Sequence, residues 1–200
     1  MSPKHGSGAG EGGLHRHGSG AREGGLHRHR GEALADVPTV VVTVSDTRTL
    51  ETDTGGALVV EALEKAGHRV AGRTIVRDDA AEITAAVRGA LCQEGVRAIV
   101  VTGGTGVAPR DVTPDAIEPL LERVLPGFGE LFRMLSWEEI GSAAILSRAL
   151  AGLAEGRVVF VLPGSRGALR MALEKLILPE LGHLAAEATK RPAVEATQKP

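Results

Sequence analysis

Four short runs of β-branched and aliphatic residues recur along this chain, each followed by residues at helical spacing. They read TVVVTVS at 39–45, HRVAGRTIV at 68–76, RAIVVT at 97–102 and RVVFVLP at 157–163. After the first, Leu58, Ala62, Leu63 and Ala66 share one helical face and Gly67 stops the helix. After the second, Asp79 is placed to cap a helix with the stripe Ile83, Val87, Ala90 and Leu91, ended by Gly95. After the third, Thr113 and Pro114 open the helical segment DAIEPLLERVL, and after the fourth comes SRGALRMALEKLIL. The stretch PGFGELFRMLSWEEIGSAAILSRALAGL, between the third and fourth strands, is less regular and receives no element. Strands alternating with helices of this length require parallel crossovers, so the expected fold is a layered α/β domain.

Two stretches stand outside that pattern. HGSGAGEGGLHR at 5–16 returns as HGSGAREGGLHR at 17–28, glycine-rich and nearly without large apolar residues. Residues 1–36 are therefore expected to be a disordered tail, residues 37–190 the domain, and residues 191–200 a second disordered tail. The pairs His15/His17 and His27/His29 offer only loose ligands for a metal ion, because no fixed backbone presents them.

Composition narrows the functional classes. A net charge of −2, aromatics at 2% and the absence of tyrosine argue against nucleic acid as a partner. No apolar run has the length of a membrane span, and Cys92 is the single cysteine, read as a small buried hydrophobe in a helix. A reducing, cytoplasmic setting without membrane contact is expected.

Ligands of open α/β sheets bind beyond the carboxyl ends of the strands. Those ends carry Ser45-Asp46-Thr47-Arg48, Arg77-Asp78-Asp79, TGGTGVAPRDVTPDAI and Pro163-Gly164-Ser165. In the third loop Gly103, Gly104 and Gly106 let backbone amides approach an anion, with Thr102 and Thr105 as hydroxyl donors. It is neither a Walker loop, lacking the lysine-hydroxyl pair, nor a dinucleotide fingerprint, lacking the Gly-x-Gly spacing. Arg110 adds a guanidinium suited to phosphate, and Asp111 a carboxylate suited to Mg²⁺. Arg148 either reaches this site or pairs with Glu138 or Glu139, and Phe128, Phe132, Met134 and Trp137 belong to the core or to a subunit interface.

The motifs TGGTGVAPRDVTPDAI, PGFGELFRMLSWEEIGSAAILSRALAG, FVLPGS and LEKLILPELGH together resemble the MoaB/MogA family of molybdenum-cofactor biosynthesis proteins, from about Thr39 to Leu184. The wording FRMLSWEEIG lies closer to the MoaB branch. The resemblance implies a three-layer α/β/α fold with a mostly parallel sheet, assembled as trimers or dimers of trimers. It implies adenylyl transfer from Mg-ATP to molybdopterin, with Mg²⁺ as cofactor and contacts to other proteins of the pathway. Active members carry one aspartate after the second strand and another after the glycine loop; Asp78 and Asp111 fill both positions. The chain departs from the family in its repeated tail and in Arg77, where proline is common. On this reading Asp78 and Asp111 hold Mg²⁺, and Gly103, Gly104, Thr105 and Gly106 cradle phosphates. Ser45 and the Pro163, Gly164, Ser165 turn bind on the same edge. A molybdopterin carrier without turnover, or an unrelated small-phosphate enzyme on a similar sheet, are the rival readings.

Overall fold

In the computed structural model residues 33–190 are described, and the readings for residues 1–32 and 191–200 lie outside them. The chain runs β1 (Thr39–Val44), α1 (Thr54–Lys65), β2 (Val70–Val76), α2 (Ala80–Cys92), β3 (Ala98–Thr102), α3 (Thr113–Ile117) and β4 (Arg123–Val124). It continues through α4 (Pro126–Ile140), a 3₁₀ turn (Gly141–Leu146), β5 (Leu150–Ala154), β6 (Arg157–Leu162), α5 (Arg166–Ala172), a π-helical turn (Leu173–Ile177) and α6 (Leu181–Ala188). The sheet order is β2-β1-β3-β6-β5-β4. β2, β1, β3 and β6 are parallel, while β5 and β4 extend the sheet antiparallel.

Alternation along each central strand builds two cores. Val41, Val100, Phe160 and Leu162 face α1, α4, α5 and α6, whereas Val42, Ile99, Val101 and Val159 face α2 and α3. Strands covered on both sides are apolar throughout, which is why the runs in β1, β3 and β6 are unbroken. The result is the expected three-layer architecture.

Local signals explain most boundaries. Asp79 accepts from the amides of Ala81 and Glu82 at the start of α2, and Gly67 sits at φ 88° after α1. Several expectations need correcting. Val59 and Leu63, not Ala66, form the buried stripe of α1, and Ala66 is exposed. Thr113 does not cap α3: it lies inside the helix, and Val112 precedes it without a side-chain bond. DAIEPLLERVL is not one helix, because Pro119 has no N–H for the next turn; the chain tightens into a 3₁₀ turn at Glu118–Leu120 and enters β4. Cys92 is exposed at the end of α2, past the stripe that meets the sheet. Leu34 and Asp36, read as tail, engage the domain: the Leu34 amide donates to the Gly182 carbonyl at 3.0 Å, and Asp36 pairs with Arg69 at 2.6 Å.

One polar knot ties β1, α1 and β2 together. Asp53, 3% exposed, caps α1 by accepting from the Gly56 amide at 2.8 Å. Its other oxygen accepts from the Thr43 hydroxyl at 2.7 Å and the Arg73 guanidinium at 2.9 Å. Burial opposes the charged carboxylate, yet the Gly56 amide, Arg73 and Thr43 outweigh it, and the Asp53 pKa falls below the ordinary value. A carboxyl with a lowered folded pKa stabilises the fold above its unfolded pKa. That contribution disappears as pH falls through about 4 and below. Asp53→Ala removes the cap and leaves Arg73 unpaired, so chemical unfolding at pH 7 should show a loss of about 3 kcal/mol or more. The gap between variant and parent should narrow in acid; a gap that is constant with pH would show that the carboxylate charge is not what stabilises.

Candidate functional site

Parallel pairing of β1, β3 and β6 in near register brings the loops after them to one edge. The Gly103 amide donates to the Leu162 carbonyl at 3.0 Å, so the glycine loop leaves β3 pressed against β6. Gly103 (φ 105°) and Gly104 (φ 62°) turn it in the left-handed region. A Cβ on Gly103 would come 2.3 Å from the Val44 carbonyl oxygen, and one on Gly104 2.3 Å from Thr113 Oγ1 and 2.7 Å from Asp78 Oδ1. Both positions therefore require glycine for conformation and for space.

Two adjoining cavities open on this edge. One, of about 300 Å³, lies between Gly104–Gly106, Asp111 and the Pro163–Ser165 turn, with Phe132, Ile140 and Leu146 as an apolar wall. The other, of about 120 Å³, lies among Ser45, Arg48, Thr102, Gly103 and Gly164. Gly164 lines both, so the loops after β1, β3 and β6 meet in one place, whereas Asp78, after β2, lines neither. A larger cavity of about 490 Å³ between α1 and α5 touches none of the glycine-loop residues.

Individual donors divide by what the fold already asks of them. Ser45 Oγ accepts from the amides of Thr47 and Arg48 at 3.3 and 3.2 Å, which leaves its O–H to donate outward. Ser165 precedes α5 without capping it and is exposed. Thr102 is different: its hydroxyl donates to the Pro163 carbonyl at 3.2 Å, and the residue is 1% exposed. Its hydroxyl hydrogen fastens β3 to the β6 loop, while the residue also lines the smaller cavity. Thr105 is buried and lines the larger of these two cavities. Arg110 is exposed on the glycine loop, with its charge acting on Asp78.

The carboxylates converge from three loops. Asp111 Oδ2 accepts from the Ala108 amide at 3.1 Å, folding back over Gly106. Asp78 Oδ1 accepts from the Val112 amide at 3.5 Å, and the Asp78 amide donates to Asp46 Oδ1 at 3.2 Å. Burial pushes the Asp78 pKa up and the Val112 amide opposes this, while the charges of Asp111 and Asp46 push it further up. A site that crowds like charge in this way favours a cation. Among the described residues no group of three or more His, Cys, Asp or Glu side chains is placed to hold a metal by itself. Two carboxylates beside a glycine loop nevertheless suit Mg²⁺, which takes one or two carboxylates and completes its shell with phosphate and water.

Sequence reading gave no role to two residues here. Asp46 follows β1 but gave no spacing signal linking it to Asp78. Asp53 looks like an ordinary surface carboxylate until its neighbours are known. Of the two readings of Arg148, the first holds: it reaches the site, donating to the Gly106 carbonyl, and its ion pair is with Asp115 at 2.8 Å, not with Glu138 or Glu139. Arg77 holds the Asp78 loop to α2: its side chain and its amide both donate to Glu82, the latter a bond proline cannot make.

A doubly covered, mostly parallel sheet with a glycine loop, paired carboxylates and a serine-bearing turn at its carboxyl edge defines a layered α/β protein with cavities where such sheets take their ligands. Residues 40–183 match the family described as "Probable molybdopterin binding domain". The molybdenum cofactor biosynthesis protein B of Bacillus subtilis is 52% identical over 151 residues, covering 75% of this chain and 89% of that one. A crystal structure of a molybdenum cofactor biosynthesis protein B superposes with TM-score 0.76 at 50% identity, over 78% of this chain and 98% of the other. The tungsten cofactor synthesizing protein MoaB from Pyrococcus furiosus superposes with TM-score 0.72 at 38% identity, over 79% and 100%. The chain belongs to the molybdopterin-binding MoaB/MogA family, on its MoaB side.

Gly104 gives the sharpest test of the geometry. Gly104→Ala strains the backbone and collides with Thr113 and Asp78, so thermal or urea unfolding should show a loss of about 1–3 kcal/mol. Gly89→Ala, in the exposed middle of α2 where a Cβ meets nothing, should instead stabilise by about 0.5–1 kcal/mol. Equal effects at the two positions would contradict the loop geometry.

Proposed function

We propose that this chain transfers the adenylyl group of ATP to the phosphate of molybdopterin, releasing pyrophosphate. Family membership supports the process, molybdenum cofactor biosynthesis. The observation that carries the reaction is the meeting of Asp78 and Asp111, from different loops, beside the glycine loop.

A molybdopterin phosphate oxygen attacks the α-phosphorus of ATP, an O–P bond forms, and the bond to the pyrophosphate oxygen breaks. The attacking oxygen is already anionic, so no general base is required; alignment and charge cancellation are. Asp78 and Asp111 would hold Mg²⁺, which when bound neutralises phosphate charge and eases departure of pyrophosphate. The amides of the Gly103–Gly106 loop would donate to phosphate oxygens, and exposed Arg110 would meet the triphosphate as it enters. Ser45 lines one cavity and Ser165 the other, and their hydroxyls would donate to the pterin. The apolar wall of Phe132, Ile140 and Leu146 limits water at the transferring phosphate.

Asp111→Asn keeps size and removes the charge, so adenylyl transfer should fall by roughly a hundredfold or more while molybdopterin binding changes much less. Asp78→Asn should behave alike, and the double variant should be less than additive if both act on one ion. The assay is incubation with molybdopterin and Mg-ATP, following adenylated product and pyrophosphate. Molybdopterin binding without Mg-dependent turnover in the parent protein would replace the enzyme with a carrier.

Self-association as a trimer, or as a hexamer built from two trimers, belongs to the same reading. Leu131, Met134, Trp137 and Ile140 on α4, with Ile145 beside them, expose an apolar surface that association would bury. Light scattering at micromolar concentration should report an oligomer; a monomer would remove this part of the proposal.

A further inference from the structure

Arg148 lies between the 3₁₀ turn and β5, more than thirty residues after the glycine loop, yet four of its groups act on that loop and the helix it enters. Its backbone amide donates to the Thr105 carbonyl at 3.2 Å. Its guanidinium donates from Nε to the Gly106 carbonyl at 2.9 Å and from Nη2 to the Asp111 carbonyl. From Nη1 it reaches both oxygens of Asp115, at 3.0 and 2.8 Å. One side chain thus holds the loop at both ends of the 106–111 excursion and fastens it to α3. The planar fork of arginine suits this task, since it carries five donors in fixed directions.

The Asp111–Val112 peptide extends the grip. Its carbonyl accepts from Arg148, and its N–H donates to Asp78 Oδ1. A trans peptide is planar, with oxygen and hydrogen pointing opposite ways, so fixing one end aims the other. A charge-assisted bond on the carbonyl also polarises the peptide and strengthens its N–H as a donor.

We propose that Arg148 is a positioning residue: by holding the Gly106 and Asp111 carbonyls it places Asp111 directly and Asp78 through the Asp111–Val112 peptide. One guanidinium therefore sets the distance between two carboxylates that come from separate loops. Its catalytic consequence rests on the adenylyl-transfer reading; its geometric content does not. Asp115 is mostly exposed, and its pair with Arg148 steadies the arrangement without creating it.

The test uses the full chain with Arg148→Met, Arg148→Lys and Asp115→Asn, each checked for fold by circular dichroism. The Val112 amide resonance should move upfield in Arg148→Met, and Mn²⁺ bound in the presence of ATP, followed by electron paramagnetic resonance, should weaken roughly tenfold. Adenylyl transfer should lose on the order of a hundredfold in kcat, with KM for ATP changed about threefold or less. Lysine keeps the charge but cannot span two carbonyls, so Arg148→Lys should recover less than about a tenth of the lost kcat. Asp115→Asn should stay within about threefold of the parent. If Arg148→Met does not fold, Arg148→Lys carries the same comparison. Full rescue by lysine, an unmoved Val112 resonance, or a defect wholly in KM would overturn the proposal. If the parent protein shows no turnover, the reaction reading fails, and the Val112 resonance and Mn²⁺ affinity still decide the positioning role.

Discussion

The site depends on the chain's ability to reverse direction at the end of β3 without a side chain in the way. Gly103 and Gly104 take left-handed conformations while Gly103 remains bonded to the end of β6 and lies under the end of β1. Only a backbone without Cβ fits between Val44 and Gly164, so the loop is wedged among its neighbours. The sheet register then decides what the wedge meets. Parallel pairing of β1, β3 and β6 sets Thr43, Thr102 and Leu162 at one level, so Ser45, Gly103 and Gly164 follow within two residues of it and line one cavity.

Electrostatics gives this edge its chemical direction. Asp46, Asp78 and Asp111 come together where, among the described residues, no lysine or arginine side chain forms an ion pair with any of them. The contrast with Asp53 is informative. Asp53 is more deeply buried, yet three donors satisfy it and its pKa falls; Asp78 has one long backbone bond and its pKa rises. One carboxylate is completed by the fold, and the other keeps acceptor capacity, as the Mg²⁺-holding role proposed for Asp78 requires.

The parallel half of the fold and the glycine loop were legible because their signals are local. β-Branched runs, the Asp79 cap and Gly67 each act within a turn or two of sequence. The antiparallel half was not. LAGLA in β5 contains no β-branched residue, and its hairpin to β6 turns on Glu155 and Gly156, at φ 49° and 74°, rather than on the usual Asn-Gly. α4 begins with Pro126, Gly127 and Gly129, poor helix formers, and its apolar residues cover more than one face, so Trp137 is exposed where Phe132 is buried. Within the site, Asp111 was marked by its place after the glycine loop, and the pairing of Asp78 with it came from the family resemblance. Nothing in TGGTG says that the Thr102 hydroxyl already donates to Pro163, so its reading as a free donor was not one the sequence could refine.

The stretch that was hardest to read is also the one that closes the site. A plain parallel sheet would leave the glycine loop open to solvent on the side away from β1. After α3 the chain instead runs out through β4, lays α4 against the cavity with Phe132 and Ile140, adds Leu146, and returns along β5. This detour supplies an apolar wall, and it carries Arg148 back to carbonyls that left β3 some forty residues earlier. Wall and anchor arrive on one segment, so water exclusion and loop geometry are coupled through it. A displacement of α4 large enough to open the cavity would also pull on the residues leading to Arg148, and through Arg148 on both carboxylates. The antiparallel extension is thus a working part of the site, although no ligand-binding motif lies in its strands.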